Sequence, residues 1–536
     1  MEPPTQIIEA AITLITAGNP HADNSRNAQT PRGTTDFMTA GTMEHTPWTI
    51  GGTAAPYADS IRWQESLRRF YKKVRARFST GLRDRWVDYA YIRIKQRLAE
   101  IVPPGSSVLD VGCGNGELLA HLGPATGVGI DLDTGALAQA ARRHPQHRFH
   151  SMRAEDLASL GETFDFVVLS EIVDEIYDLR ALFQALQSVC HSRTRIIVVT
   201  HSRLWQPVLR LMEFLRLKSP TPERNWLPHD EVIHLLNLSG FQTVRMFSMT
   251  IAPLYFPIVS ALLNRFVAHL PGFRWLGLND VVVARSTLPG KLAAEAIAGV
   301  SIVVPARNES GHIAQLIQRV PMLSAKQELI FVEGHSTDDT WEVIEQEARN
   351  YAGPMVIKTM RQDGKGKGDA VRKGFRYATG DVLMILDADL SVPPEELTAF
   401  HEALLAGQGE FINGSRMVYL MDKRAMRFLN LLGNKVFGWL FTYLLSQRFR
   451  DTLCGTKVLT RRDYERIAAN RSYFGDFDPF GDFDLLFGAA KANLKIIDIP
   501  VHYKARVYGE TNISRFRHGW MLLKMCLLAA RKLKFV

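Results

Sequence analysis

Two carboxylates one residue apart, Asp387 and Asp389, close an apolar run over residues 382–386. A buried strand of that composition cannot hide two acids without partners, so they either bind a cation or pair with Lys or Arg. A divalent ion held there against a pyrophosphate would activate a sugar nucleotide. An acid-x-acid pattern is short and arises by chance, so the segments around it decide its reading.

Those segments repeat one arrangement. Residues 300–304 form a β-branched strand that runs into Pro305, Arg307, Asn308 and Glu309, and residues 329–332 form a second strand ending at Glu333. Beyond it Ser336 and Asp338 can cap a helix that starts near Trp341. Strand, loop, helix, strand is the rhythm of a parallel sheet, whose ligands bind beyond the carboxyl ends of the strands. All three polar clusters fall at such ends. Gly364-Lys365-Gly366-Lys367-Gly368 then opens another helix, continuing to Gly374. Its glycines let backbone N–H groups approach phosphate oxygens, and Lys365 and Lys367 add positive charge, while a solvated loop is the alternative.

In this order the segments resemble the P-x-x-N-E, D-D-G-S-x-D-x-T and D-x-D blocks of the family 2 glycosyltransferases of GT-A fold. The third block matches fully; in the second, Glu333-Gly334-His335-Ser336 replaces the usual two acids before Gly-Ser, which leaves the donor base unread. The resemblance implies a nucleotide-sugar donor held by Pro305, Arg307, Asn308, Glu309, Glu333, Asp338, Lys365 and Lys367. It also implies Mg²⁺ or Mn²⁺ on Asp387 and Asp389.

Later segments narrow the acceptor. Asn413-Gly414-Ser415-Arg416, the run from Asp451 to Lys457, and Arg506-Val507-Tyr508-Gly509-Glu510-Thr511-Asn512 look like blocks of the dolichyl-phosphate and undecaprenyl-phosphate sugar synthases. That resemblance implies transfer onto a polyprenyl phosphate or lipid-linked glycan. A phosphate monoester is already anionic at neutral pH, so the reaction needs charge neutralisation more than a base. Arg416, Arg506 and Arg515 are the expected sources, with Arg506 counted among the catalytic groups. Asp482, in Gly481-Asp482-Phe483-Asp484, falls where relatives with hydroxyl acceptors carry their base. It is a base if the acceptor is a hydroxyl, and otherwise an organiser of the acceptor pocket.

A second cluster lies upstream. The strand over residues 107–111, with Asp110, is followed by Gly112-Cys113-Gly114-Asn115-Gly116-Glu117. Glu117 stands where a dinucleotide fingerprint carries its third glycine, which argues against a nicotinamide cofactor. The pattern resembles motif I of class I S-adenosylmethionine methyltransferases. Asp131, at the end of the next strand, would accept the ribose hydroxyls, as acids do in other doubly wound cofactor sites. The resemblance adds Asp156 at the adenine amino group. Methyl transfer chiefly needs an acceptor held in line, so no base is required. Glu171, Asp174 and Glu175 follow the fourth strand, and His201 follows the strand over 196–200, either as a base or as a hydrogen-bonded loop residue. Trp205, Trp226 and residues 222–228 are candidates for an acceptor lid.

These elements give an α/β chain of two doubly wound, Rossmann-like domains, a class I methyltransferase fold and then a GT-A fold. The expected boundaries are a disordered tail at 1–55 with a short helix at 7–15, a methyltransferase domain with an N-terminal helical arm at 56–285, a linker at 286–299, a glycosyltransferase domain at 300–515 and a basic amphipathic helix at 516–536. No basic segment precedes the apolar stretch at 7–15, so it does not read as a signal peptide. A hydrophobic content of 46% is ordinary for globular protein, and no apolar run reaches the roughly 20 residues of a membrane-crossing helix. Residues 501–536 hold eight Lys or Arg against one acid, Glu510, and so carry most of the chain's formal +9 charge. Charge of this kind beside apolar helices at 436–445 and 520–530 predicts attachment to an anionic membrane surface, on its cytoplasmic face. No nucleic-acid-binding fold accompanies the charge. The cysteines, Cys113, Cys190, Cys454 and Cys526, show no zinc or disulfide spacing and fit a reducing compartment.

The expectation is therefore a bifunctional enzyme: metal-dependent sugar transfer to a polyprenyl phosphate or lipid-linked glycan, with methylation in the same pathway. The alternative is a polysaccharide-type transferase with a hydroxyl acceptor, Asp482 as base and a regulatory cofactor-binding N-terminal domain.

Overall fold

The computed structural model describes residues 60, 62–67, 69–70, 84–215, 226–287, 299–419, 428–473, 481–504 and 515–535. All of them belong to one compact unit, residues 56–536. The expected tail and its helix, most of the linker and Arg506 with its block lie outside the described residues, and of Arg515 only the backbone is described.

The first sheet begins after helix α1 (Asp84–Ile101). Then come β1 (Ser107–Val111), α2 (Glu117–Leu122), β2 (Thr126–Asp131), α3 (Thr134–Arg143), β3 (Arg148–Ser151) and β4 (Phe164–Ser170). They are followed by α4 (Leu179–Ala185), β5 (Cys190–His201), α5 (Gln206–Phe214), α6 (His229–Leu238), β6 (Phe241–Met249), α7 (Val259–Arg265) and β7 (Asn279–Ser286). Strand order is β3-β2-β1-β4-β5-β7-β6, with β1 to β5 parallel and β7 antiparallel to both neighbours. The central strands read as continuous apolar runs because helices cover both faces. Val111, Val167 and Val198 point to one core, and Val108, Val168 and Ile197 to the other.

The second sheet is built from β8 (Val300–Ala306), α8 (Ile313–Arg319), β9 (Gln327–Glu333), α9 (Thr340–Asn350), β10 (Val356–Arg361), α10 (Lys367–Tyr377) and β11 (Val382–Ile385). It continues through α11 (Leu397–Leu405), β12 (Phe411–Ser415), α12 (Phe428–Leu445), β13 (Lys457–Thr460), α13 (Arg461–Ala469), α14 (Asp482–Lys491), β14 (Ile496–Pro500) and α15 (Arg515–Ala529). Its order is β10-β9-β8-β11-β13-β12-β14, with β13 antiparallel to both neighbours. Both sheets are thus mixed rather than purely parallel: each admits one antiparallel strand late in the chain. Each order reverses beside the first strand, at β1/β4 and at β8/β11, and such a switch point is where an open α/β sheet binds its ligand.

The two sheets meet at their other ends. Arg195, midway along β5 and 2% exposed, donates through Nη2 to both oxygens of Glu410, each at 2.7 Å, and through Nε to the Asn493 carbonyl at 2.7 Å. Arg285, at the end of antiparallel β7, donates to the Gly407 carbonyl, and Lys495 Nζ to the Thr243 carbonyl at 2.8 Å. Glu410 and Lys495 immediately precede β12 and β14, which run parallel to β11 in direction. The amino ends of the parallel strands therefore face the junction in both halves, and each switch point lies at the far end of its own sheet.

Two candidate active sites

At the β1/β4 switch point the chain turns on Gly112, Gly114 and Gly116, all at positive φ. Gly112 is required by space as well as by φ of 80°: a Cβ there would lie 2.2 Å from Ile172 Cδ1. The glycine loop is thereby packed on the turn that follows β4. Gly114 N–H donates to Asp131 Oδ2 at 2.8 Å and Asp133 N–H to Asp131 Oδ1 at 2.8 Å, so the loop, β2 and the start of α3 share one carboxylate. Asp110 lies beneath them, 2% exposed, with its Oδ2 buried and without a hydrogen-bond partner. Burial first, and the Asp131 charge second, push its carboxyl up to about 7. An unpartnered buried acid at this place fits a ligand that brings an ammonium group, as the amino-acid end of S-adenosylmethionine does. Asp156, after β3, is exposed and 3.8 Å from Arg153.

Beyond β4 the backbone of Glu171 takes φ of 59°, an uncommon conformation for a residue other than glycine. Its Oε1 accepts from Asn279 Nδ2 at 3.1 Å and lies 3.2 Å from His201 Nε2. Asp174, 2% exposed, stands 3.8 Å behind His201 Nδ1, and the Trp226 ring meets the imidazole edge-on at 5.9 Å. The structure thus gathers Glu171, Asp174, His201 and Trp226, while Trp205 instead donates to the Leu276 carbonyl. Asn279 carried no sequence signal, because it reaches this place only through antiparallel β7.

At the β8/β11 switch point the polar clusters meet as well. Asn308 N–H donates to Ser336 Oγ at 3.0 Å, and Asn308 Oδ1 accepts from Thr337 N–H at 2.8 Å, which ties the loops after β8 and β9 together. Glu333 is 3% exposed and accepts from Ser336 N–H. Two expected donor ligands have protein partners: Asp338 Oδ1 accepts from Thr340 N–H at 3.1 Å, and the Glu309 carboxylate is buried 2.9 Å from His312 Nδ1. Pro305, next to last in β8, is half-buried, and Arg307 and Lys365 are exposed.

Lys367, the first residue of α10, places Nζ 2.5 Å from Asp387 Oδ1. Burial alone would lower its ammonium, but Asp387, Asp482 and Asp389 hold it above the ordinary lysine range. Asp389 Oδ1 accepts from Ser391 N–H and Oγ at 3.0 and 2.6 Å. Gly455 closes on the pair so tightly that a Cβ would lie 2.0 Å from Asp387 Oδ2. Among the described residues no group of three or more His, Cys, Asp or Glu side chains is placed to hold a metal. Two carboxylates nevertheless fit an ion such as Mg²⁺, which takes one or two of them and completes its shell with phosphate oxygens and water.

Further acids at this end are paired with cations. Asp482, in the first turn of α14, is 2.9 Å from the fully buried Lys457 Nζ, and Asp484 is 2.7 Å from Arg471. Arg416, expected to face a phosphate, is held in a two-pronged pair by Asp451, Nε to Oδ2 at 2.7 Å and Nη2 to Oδ1 at 2.9 Å. The run from Asp451 to Lys457 therefore supplies three partners that its sequence did not announce: Asp451, Gly455 and Lys457.

A family model described as glycosyl transferase family 2 matches residues 301–467, and one for a methyltransferase domain matches residues 83–245. Among curated proteins, a dolichol-phosphate mannosyltransferase from Pyrococcus furiosus is 26% identical over 42% of this chain and 64% of its own length. An undecaprenyl-phosphate 4-deoxy-4-formamido-L-arabinose transferase from Enterobacter sp. is 28% identical over 42% of this chain and 65% of its own. Glycosyltransferase AglJ of Haloferax volcanii is 29% identical over 42% of this chain and 69% of its own. The chain thus spans just under two thirds of the length of the first two relatives.

Proposed function

We propose that this chain, an enzyme that joins a methyltransferase domain to a family 2 glycosyltransferase domain, moves a sugar from a nucleotide donor to a polyprenyl phosphate or lipid-linked glycan, and methylates a component of the same pathway. The observation that carries the sugar-transfer reading is the Lys367–Asp387 pair under Gly455, with Asp389 beside it, at the switch point of the second sheet. Two of the similar proteins are named for transfer to dolichol phosphate or undecaprenyl phosphate, and they supply the acceptor class for this reading.

Asp387 and Asp389 would hold the divalent ion, which when bound would supply charge neutralisation for the leaving diphosphate. Lys367 adds a second positive charge at the same place, and Asn308 keeps the loops after β8 and β9 in register around the donor. A phosphate acceptor brings its own negative charge and needs no proton removed. The hydroxyl-acceptor alternative would use Asp482, whose carboxylate is already occupied by Lys457.

In the first half, Asp110 binds the ammonium end of S-adenosylmethionine and Asp131 the ribose. The bound cofactor supplies an electrophilic methyl group. Methylation of a hydroxyl releases one proton, and the Glu171 carboxylate, held by His201 and Asn279, is the group we assign to take it.

The test is incubation of the full chain and Mn²⁺ with radiolabelled sugar nucleotides and undecaprenyl phosphate, followed by organic extraction. Label in the lipid phase, released by mild acid, is expected, and Asp389→Asn should lower it by about a thousandfold without changing S-adenosylhomocysteine binding. Retained transfer in Asp389→Asn would remove the metal role, and label only in added saccharides would move the acceptor to a hydroxyl.

A further inference from the structure

The segment between β6 and β7 is built inside out. In α7 the buried side chains are Ser260 and Asn264, whereas Val259 and Leu262, with Ile258 just before the helix and Phe266 just after it, are exposed, Ile258 to 75%. The polar residues are consumed by their own loop: Ser260 Oγ donates to the Leu254 carbonyl and accepts from Phe256 N–H, and Asn264 bonds both backbone groups of Ala252 at 2.8 Å. Nothing in that arrangement returns the apolar face to a core. A soluble surface rarely leaves so large a contiguous apolar patch to water.

The patch does not stop at this segment. Arg265 Nε donates to the Phe535 carbonyl at 3.1 Å, the Phe266 and Phe535 rings lie 5.9 Å apart, and Tyr443 at the end of α12 donates to the His269 carbonyl. From Tyr443 an exposed stripe runs back along α12 through Trp439, Val436 and Leu432, and α15, which packs on α12, exposes Trp520, Leu523 and Leu527. The three apolar faces therefore adjoin, and they come from both halves of the molecule.

Charge says what covers them. Residues 250–278, 428–450 and 515–536 contain no Asp or Glu, while Arg265, Arg274, Lys435, Lys524 and Arg531 are exposed along them. Apolar faces fringed only by cations match an anionic headgroup layer over acyl chains. No described helix is long and apolar enough to cross a membrane, so the contact is one of helices lying in the interface.

We propose that the methyltransferase half carries its own bilayer-docking face, formed by α7 and its flanking loops and continuous with α12 and α15, so that both halves sit on one anionic lipid surface. The docking face does not rest on the sugar-transfer reading above.

The test is sedimentation of the full chain with vesicles of phosphatidylcholine containing about a third phosphatidylglycerol, beside vesicles of phosphatidylcholine alone. The wild-type chain should favour the anionic vesicles, and Leu262→Glu and Val436→Glu should each weaken partition by about tenfold or more with an unchanged melting temperature, because both side chains are exposed. Loss with Val436→Glu but not with Leu262→Glu would overturn the shared face while leaving lipid-phosphate transfer intact. A wild-type chain that ignores anionic vesicles, and forms a dimer that Leu262→Glu disperses, would make the face a contact between two copies. Sugar transfer to a detergent-dispersed polyprenyl phosphate, measured on the same preparations, separates either result from failure of the transfer reading itself.

Discussion

The two halves share a plan and oppose each other in charge. Each is a seven-stranded sheet with one antiparallel strand, and each gathers acids at a switch point. In the first sheet Asp110 is buried with an oxygen that has no partner. In the second, Asp387, Asp451, Asp482 and Asp484 each face a Lys or Arg. An acid left short of a cation is completed by a cationic ligand. On the proposed reading, acids already matched with cations would offer their carboxylates to a metal and the paired ammonium to an anionic diphosphate. On that reading one fold plan would serve opposite ligands, with the sign set by whether the protein itself brings the counter-ion.

The junction is where that comparison can be broken most severely. Glu410→Ala leaves Arg195 buried and uncompensated, which should cost about 3–5 kcal/mol of stability, read by urea or thermal unfolding. Replacing both partners by apolar residues, Arg195→Met with Glu410→Leu, should restore most of it. Burial alone would raise the Glu410 carboxyl, but Arg195 and Arg285 hold it below its ordinary range. An acid with a depressed folded value contributes stability above its unfolded value and loses it as pH falls, so the variant's deficit should shrink on acidification below about pH 4.5. If the single variant unfolds like the wild type, the halves are not joined through this pair.

The charge contrast itself predicts a pH effect in one half. The Asp110 carboxyl stands at about 7 because of burial and Asp131. A raised acid is a liability as pH climbs from the ordinary carboxylate range toward that value, so the ligand-free domain weakens over that window. The ionised form is also the one that pairs with an ammonium. Affinity for S-adenosylhomocysteine should therefore rise by up to about tenfold per pH unit below about 7 and level off above, by calorimetry. Asp110→Asn should flatten that profile. A wild-type profile already flat from about pH 6 to about pH 8 would mean that Asp110 does not meet the cofactor's ammonium.

Spacing made the ligand ends of both sheets legible: the glycine turn after β1, the acids after β8, β9 and β11, and the helix opened by Lys367 all lie where periodicity and composition put them. What was not legible came from strands that enter the sheet out of order. Antiparallel β7 brings Asn279 to Glu171, and antiparallel β13, which begins at Lys457 just after Gly455, places the two against Asp482 and Asp387 respectively. Arg195 and Glu410 are 215 residues apart and belong to no local pattern. The same blindness hides partners: nothing local to Arg416 announces its pair with Asp451, and Glu309 is seen beside His312 only once the chain is folded. Charge can be counted along a chain, but its compensation is a property of the assembled sheet.

Helix caps sharpen the comparison at its smallest scale. Asp133 accepts from Gly135 and Ala136 N–H at 2.9 and 3.0 Å at the start of α3, and Thr460 accepts from Asp463 N–H at 3.1 Å at the start of α13. Replacing either by Ala should cost about 1 kcal/mol, since each satisfies donors that the helix leaves open. Their functional effects should differ. Asp133 also donates its N–H to Asp131, so a loosened cap disturbs the carboxylate that holds the glycine loop, and cofactor affinity should fall by about two- to fivefold. Thr460 ends β13 at the edge away from Asp387, and its replacement should leave sugar transfer unchanged at temperatures where the protein stays folded. Equal loss of stability with cofactor affinity unmoved in Asp133→Ala would show that the Asp131 position is fixed by the glycine loop alone.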